Sequence, residues 1–378
     1  MKSKKMIVVL SPSFVLTSIA ALSSAIARIA DAFPDTSISA VQSLTTLPSL
    51  IAIVIILLSG RLSSIVTKKK IVVVSTALMI AGGLMPLVFH QKFWQLVLAS
   101  SIFGLGYGGI SPLTTALIHE HYSQEDQPAM LGFQSAAIGI GGVLCSYIGG
   151  QLASICWWYA YGAFFLFVPI FLLVLMLPEG ELSAPAKETS FKKLLNPSLL
   201  FYVSQSIVYA IFLYIFQTNI ALLVEARSLG TSAISGWILS MQSAAGIISG
   251  ILGGTVLGRL KRFSLPVILT CSGVAQLIIF FSSSLLPLFL AAAILGFFFS
   301  IRMPAGYLKV TSSVPPAAAT MAISIYCSSS QAGQFLSPTA SNCLATLLGL
   351  GLEEKFFMGG LCLLVIALIS FLWEIRIH

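Results

Sequence analysis

The sequence predicts an all-α integral membrane fold, with twelve membrane-spanning helices in two related bundles of six. Three observations predict it. Of 378 residues, 57% are hydrophobic and only 8% are charged. Soluble domains carry about 25% charged residues, and no soluble core could hide this much apolar surface, so lipid must serve as solvent. The apolar residues fall into twelve runs, each near the roughly 20 residues that cross a bilayer. The second six runs also repeat landmarks of the first six.

The expected spans are 7–30, 41–60, 71–90, 94–117, 131–154, 159–177, 199–223, 234–257, 265–284, 287–310, 318–347 and 356–375. Lys2, Lys4 and Lys5 precede the first, whose Ala25-Ile26-Ala27 looks like a signal-peptidase site. The run from Ile7 is longer than a secretory apolar region and eleven more follow, so a retained first helix is expected. The second carries Gln42 and ends at Gly60-Arg61; the third follows Lys68, Lys69 and Lys70. The fourth holds Gly104, Tyr107 and Pro112, and the fifth is glycine-rich and carries Gln134. The sixth opens on Trp158-Tyr159-Ala160-Tyr161. A polar stretch, 178–198, then divides the chain into a bundle at 1–178, a linker at 179–198 and a bundle at 199–378. The seventh carries Tyr202, Gln205 and Tyr209 at helical spacing, then Gln217 and Asn219. The eighth carries Gln242, the tenth Arg302, and the eleventh Tyr326, Ser330, Gln331 and Gln334.

Charge fixes orientation. With the N-terminus inside, fifteen basic residues fall in inside segments, among them Lys68, Lys69, Arg259 and Arg262; four fall outside, Arg28, Lys92, Arg227 and Lys355. The positive-inside rule then places both termini in the cytoplasm of a cell membrane. The same placement of basic residues in short stubs between apolar runs argues against nucleic acid as the partner implied by the net charge of +8. An offset of 192 relates Gly104 to Gly296, Pro112 to Pro304 and Ser146 to Pro338. Two related halves are the architecture of a secondary transporter whose site lies between repeats.

The loop after the second span reads GRLSSIVTKK from Gly60. This resembles the loop motif of the major facilitator superfamily, G-x-L-small-D-R-x-G-basic-basic. Gly60, Leu62, Lys68 and Lys69 match; Ser64 stands at the acid position and Ile65 at the arginine. The equivalent loop after span eight keeps Arg259 and Arg262 but has Gly258 at the acid. In the family this charge network helps close the cytoplasmic side, and the departures put that latch in doubt. Span five resembles the glycine pattern of the antiporter branch, which includes bacterial drug exporters: Gly132, Gly141, Gly149 and Gly150 are at the right spacing, with Cys145 and Ser146 in place of its Gly-Pro. The resemblance covers nearly the whole chain. It implies alternating access, with Gly60, Lys68, Lys69, Gly141, Gly149, Gly150, Gly250, Gly254 and Arg259 in gating or helix-packing roles. Gly246, Gly250 and Gly254, four residues apart, give span eight a smooth face, and such faces let backbones approach closely.

The chemistry-bearing groups are few. All twelve carboxylates map to loops or span ends, so a midplane proton carrier is missing; Asp31, Glu120 and Glu225 are the edge candidates, and Arg28 is expected to pair with Asp31. His119-Glu120-His121 does not make a metal chelate, because adjacent helical positions point in different directions. Four histidines, and no span with a Ser/His/Asp set, argue against an enzyme. No nucleotide-binding loop and no cofactor motif is present. The six cysteines read as buried thiols. What remains is a set of amides and aromatics within spans: Gln42, Tyr107, Gln134, Gln205, Tyr209, Gln242, Tyr326, Gln331 and Gln334, with Arg302. Such groups face a bundle interior or cavity. Arg302 lies seven residues before Lys309, about 10 Å from the span end. Snorkelling with backbone pairing is one role for it; the counter-charge of an anionic ligand is the other. The expected protein is a monomeric carrier of a small organic molecule, surrounded by lipid, with a proton or other ion as a possible coupling partner. Export of amphipathic or drug-like compounds and import or facilitated passage of a small organic anion on Arg302 are both open, and a non-transporting polytopic membrane sensor is the reading from another class.

Overall fold

The computed structural model describes residues 2–123, 125–179, 182, 196–315 and 318–377, and within these no side-chain description covers residues 2–4, 59–61, 128, 320 and 377. The expected linker therefore lies largely outside the described residues, with Lys187, Lys192 and Lys193, as do the surroundings of Gly60 and Arg61. The described chain is helical, without strands.

Twelve spans run alternately up and down. Span 1 is built from four short pieces, Lys2–Leu10, Ser11–Val15, Ala20–Ser23 and Ile26–Ala32. Spans 2 to 6 are Ile38–Ile65, Lys68–Leu84 with a 3-10 turn at Met85–Leu87, Phe93–His121, Gln127–Ile155, and Trp157–Leu166 leading into Phe167–Leu175. Spans 7 to 12 are Pro197–Ala226, Ser232–Leu260, Ser264–Phe281, Leu285–Ser312, Ala319–Leu347 and Glu354–Ile377. Both termini lie at one end of the bundle, called here the terminal end; the other is the far end.

The break in span 1 departs from the single helix expected over the first run. Its cause is local. Pro12 has no N–H to donate. The hydroxyls of Ser11, Ser18 and Ser24 bond back to the carbonyls of Val8, Val15 and Ala21 at 2.9, 2.6 and 2.7 Å, competing with the helical ladder. Thr17 donates instead to the Ile138 carbonyl of span 5 at 2.7 Å, tying the broken segment to its neighbour.

Lipid tails are as apolar as leucine, so close packing rather than exclusion of water holds such helices together. Glycines supply it. A Cβ on Gly104 would stand 2.8 Å from the Cα of Pro48 in span 2; its repeat partner Gly296 packs in the same way on Gln242 of span 8. One core cluster is built around Phe216, Leu239, Leu269, Leu295 and Phe356 of the second half. The first half has two, one around Met79, Phe103, Phe164 and Phe167, the other around Val9, Val72, Leu117 and Val174. Leu57, Val74, Phe165, Leu172, Ile251 and Phe281 are exposed on the outside, where a lipid-facing surface requires them.

Spans 5 and 8 form the main seam between halves. At the far end it is tight: a Cβ on Gly150 would lie 2.7 Å from the Cα of Gly236 and 2.8 Å from the Ser232 carbonyl. Midway, Gly142 meets Ser243, and nearer the terminal end Gly250 meets Ser135. The Gly132 carbonyl is still 3.9 Å from a Cβ on Gly250, but Gly254, nearer still to that end, has no atom within 4 Å of such a Cβ, so the seam parts there. Gly141 and Gly149 do not face this seam. They press on Phe14 and Ala21 of span 1, inside the first half.

Polar bonds close the far end across the halves. Gln42 Nε2 of span 2 donates to the Thr218 carbonyl at 3.0 Å and to Asn219 Oδ1 at 2.8 Å. Asn342 Nδ2 of span 11 donates to Gln42 Oε1 at 2.7 Å and to Ser39 Oγ at 2.8 Å. Lys355 Nζ of span 12 donates to Asn342 Oδ1 at 2.5 Å. Lys355, one of the four basic residues expected at the outside ends, is 9% exposed and belongs to the seal. Arg28 reaches across to Glu225 at 3.5 Å, which replaces the expected contact with Asp31. Arg227 clamps the second half at this end. It pairs with Glu353 at 2.9 Å and donates to the carbonyls of Ile279, Phe280 and Ser282.

At the terminal end the ion pairs lie within halves. Lys68 bonds Glu120 at 2.7 Å, and Lys5 donates to the His121 carbonyl. Glu374, read as an ordinary span-end charge, is fully buried between Lys309 at 2.6 Å and the Tyr202 hydroxyl at 2.9 Å. Among the described residues no group of histidines, cysteines and carboxylates is arranged to hold a metal, and all six cysteines are free thiols.

Candidate functional site

Below the far seal lies a cavity of about 340 Å³, between the two halves and reaching toward their parted end. Spans 1, 2, 4 and 5 supply one wall; spans 7, 8, 10 and 11 supply the other. This size falls in the range of small-molecule sites.

Arg302 stands in the second wall. Pro304 interrupts the backbone ladder of span 10 just beyond it, and Gly306 leaves room for the ring of Tyr326 to pack against that helix. The guanidinium donates to Ser206 at 3.2 Å, to Ser330 at 2.5 Å and to the Met303 sulfur at 3.1 Å. It also faces the rings of Tyr209 and Tyr326, 5.0 and 5.9 Å from their centroids. The residue is 3% exposed, and its Nε has no hydrogen-bond partner. No ion pair links it to a carboxylate among the described residues. Arginine keeps its proton in proteins, so the cavity wall carries a permanent positive charge whose field is strengthened by its low-dielectric surroundings.

The structure sorts the residues singled out in the sequence into three places. Tyr107, Gln242, Arg302, Gln331 and Gln334 line the cavity together. Gln205, Tyr209 and Tyr326 lie behind Arg302, around a small void between spans 7, 9, 10 and 11; there Tyr209 bonds Ser272 at 3.1 Å and Gln205 Nε2 is unpaired. Gln42 belongs to the far seal, and Gln134 to a pair with Thr115 near 3.4 Å inside the first half. Across the cavity, Gln331 Nε2 donates to the Tyr107 hydroxyl at 3.4 Å, a bond between the halves at mid-depth. Tyr214, Gln217, Tyr307 and Cys327 also line the cavity. Gln217 is legible in the sequence as a polar residue of span 7 and Cys327 only as a buried thiol; its helical spacing from Gln331 is the signal that could have placed it here.

Of the residues expected to gate, Gly150 and Gly250 sit on the seam between halves and Gly254 sits where it has parted. Lys68 is bound to Glu120 within its own half, and Arg259 is exposed at the terminal end.

The description of the Major Facilitator Superfamily matches residues 8–230 and 206–377. The chain belongs to the major facilitator superfamily. It is therefore a multi-pass membrane transporter and not an enzyme. No curated protein matches its sequence significantly. Solved structures match its fold along nearly the whole length. An auto-inhibited peptide transporter of the POT family superposes with a TM-score of 0.76 at 12% identity, covering 100% of this chain and 97% of that one. A second POT family transporter gives 0.78 at 10%, covering 100% and 98%. A bacterial homolog of the human lysosomal transporter Spinster, inward-facing and unoccupied, gives 0.71 at 15%, covering 99% and 98%. At these identities the likeness shows the superfamily fold alone.

Proposed function

We propose that this superfamily transporter moves a small organic anion through the central cavity, with Arg302 as the counter-charge. The observation that carries the reading is a permanent cation in the cavity wall with no carboxylate among the described lining residues. The two halves, 1–178 and 199–378, rock about the cavity, and a cytoplasmic placement of both termini makes the present shape open to the cytoplasm in a cell membrane. The glycines of span 5, which resemble those of antiporters, favour export as the direction. One of the structural neighbours is named as a peptide transporter. A peptide carries an ammonium as well as a carboxylate, and the described lining offers that ammonium no acid. A monoanion fits better.

A second reading has its own observation. Two serines, a thioether sulfur and two tyrosine rings already surround the guanidinium, an arrangement that serves a structural arginine in an exporter of neutral or cationic amphiphiles. Thermal unfolding of the purified protein against organic carboxylates, neutral amides and quaternary ammonium ions separates the two. Under the proposal only anions raise the midpoint, by about 2.7 kcal/mol of stabilisation at a hundredfold excess over Kd, and Arg302→Gln, which binds them roughly ten- to a hundredfold more weakly, cuts that stabilisation to about 1.4 kcal/mol or less. Equal stabilisation of wild type and mutant by cationic or neutral amphiphiles would sink it.

A further inference from the structure

The two walls of the cavity differ in kind. Every amide that lines it, Gln217, Gln242, Gln331 and Gln334, comes from the second half, and so does its charge, Arg302. The first half supplies apolar side chains, with Leu16, Ile19, Pro48, Phe103 and Ile138 among them. Its hydroxyls are Thr17, Thr45, Ser49, Tyr107, Ser111 and Ser135; that of Tyr107 accepts from Gln331 across the cavity, and three are turned into backbone of their own half. Thr17 donates to the Ile138 carbonyl at 2.7 Å, Thr45 to the Gln42 carbonyl at 2.8 Å and Ser135 to the Leu131 carbonyl at 3.1 Å. A fully polar solute would lose water against the apolar part of this wall, from Leu16 and Ile19 to Ile138, and gain no partner there.

We propose that the substrate is an amphipathic monoanion held across the two halves: its head by the second half at Arg302, its tail on the apolar wall of the first half. This rests on the reading of Arg302 given above and adds the shape of the ligand. Division of labour follows from it. The second half selects charge, and the first half selects tail length, with Leu16 and Ile19 as specificity-determining residues. Each methylene laid on the wall tightens binding about fourfold until the wall is filled. A second charge at the tail end would be desolvated against Leu16 and Ile19 without compensation and would be rejected.

The test uses the full-length protein in lipid nanodiscs, with apparent Kd taken from the rise of the unfolding midpoint. The probes are hexanoate, octanoate, decanoate and octanedioate. Octanoate is expected to bind about sixteenfold tighter than hexanoate, and octanedioate at least tenfold weaker than octanoate. Ile19→Trp, which fills the tail region, removes the gain from octanoate to decanoate and leaves hexanoate within about twofold of wild type. Comparison of the mono- and dicarboxylate needs no variant, so a misfolded Ile19→Trp leaves the proposal open to refutation. Equal binding of octanoate and octanedioate, or affinities independent of chain length, overturns the apolar tail site while leaving the anion reading intact. If no carboxylate of any length raises the midpoint, the anion reading itself fails and the tail site with it.

Discussion

Arg302 holds its charge in place without an acid, and the consequence is measurable at a single side chain. Hydrogen bonds to charged groups contribute about 1.5–3 kcal/mol, so Arg302→Gln should weaken anion binding by roughly ten- to a hundredfold, while Arg302→Lys, which keeps the charge and loses the planar fork, should weaken it less. Equilibrium binding of a carboxylate to both variants checks this. Glu374 makes the opposite case, a buried acid whose partners are both present. Glu374→Ala leaves Lys309 almost wholly buried and without its counter-charge, a loss that costs about 3–5 kcal/mol and should show as a lower unfolding midpoint with anion affinity unchanged. A third residue tests pH. The Arg227 guanidinium, by hydrogen bond and charge, holds the Glu353 carboxyl below its ordinary value of 4.5. The folded state therefore binds fewer protons there than the unfolded one. The stabilisation is present above about 4.5 and is lost as pH falls through the depressed folded value. The difference in midpoint between wild type and Glu353→Gln should shrink to nothing below that window; a difference that persists there would remove Glu353 as the group responsible. The sequence announced Arg302 as unusual because a charge within an apolar run is visible. It did not announce Glu374 or Lys355, because each lies at a span end where charge is ordinary and only packing shows it to be buried.

Helices meet here through glycine, and the two ends of one seam predict opposite outcomes. Gly150→Ala would place a methyl against the Gly236 backbone. It must push spans 5 and 8 apart, lowering the midpoint and exposing the far end; the reaction rate of a thiol placed at Ser39→Cys reads that exposure. Gly254→Ala meets open space and should stabilise the helix by about 0.5–1 kcal/mol through backbone entropy alone. Hydropathy gave the rough limits of most spans, but by length and apolarity alone ten candidates stand out among the described residues, because spans 8 and 9 run together and span 11 is absent from them. It missed the broken span 1, where Pro12 and back-bonded serine hydroxyls interrupt an otherwise apolar run that reads as one helix. It also left Gly141 and Gly149 on the same stripe as a gating face. Four-residue spacing identifies a smooth stripe, but only the packed helices decide which neighbour that stripe meets, and here it is span 1. The amides divided by depth: Gln42, Asn219 and Asn342 each lie near the far end of their spans and form the seal, whereas Gln242, Gln331 and Gln334 lie deeper and line the cavity. That depth could be counted in the sequence, although the pairing could not.

Across the whole molecule the seal and the parted seam are two ends of one lever. If the halves rock as bodies, weakening the far seal must bring the terminal ends together. Asn342→Ala removes the amide that joins Gln42 to Lys355. In that variant, spin labels at Gly132→Cys and Gly254→Cys should move closer than in the otherwise wild-type protein, and pulsed electron resonance measures the distance. An unchanged distance would mean that the halves do not move as rigid units. The fold itself was legible at this scale, because an offset repeated across 192 positions and a count of basic residues need no side-chain geometry. The sharing of tasks between a charged wall and an apolar wall was not, since it depends on which face of each helix turns inward and on hydroxyls folded back onto their own carbonyls.

The far seal is made chiefly of side-chain amides. An amide neither gains nor loses a proton, and dissolved salt screens its bonds far less than it screens a pair of exposed ions. Among the described residues, the one ion pair that crosses between the halves at that face and is open to such screening is the partly exposed Arg28–Glu225 pair at the rim. A latch of this make gives brine little more purchase than rainwater, and what salt can loosen is confined to the Arg28–Glu225 pair at the rim.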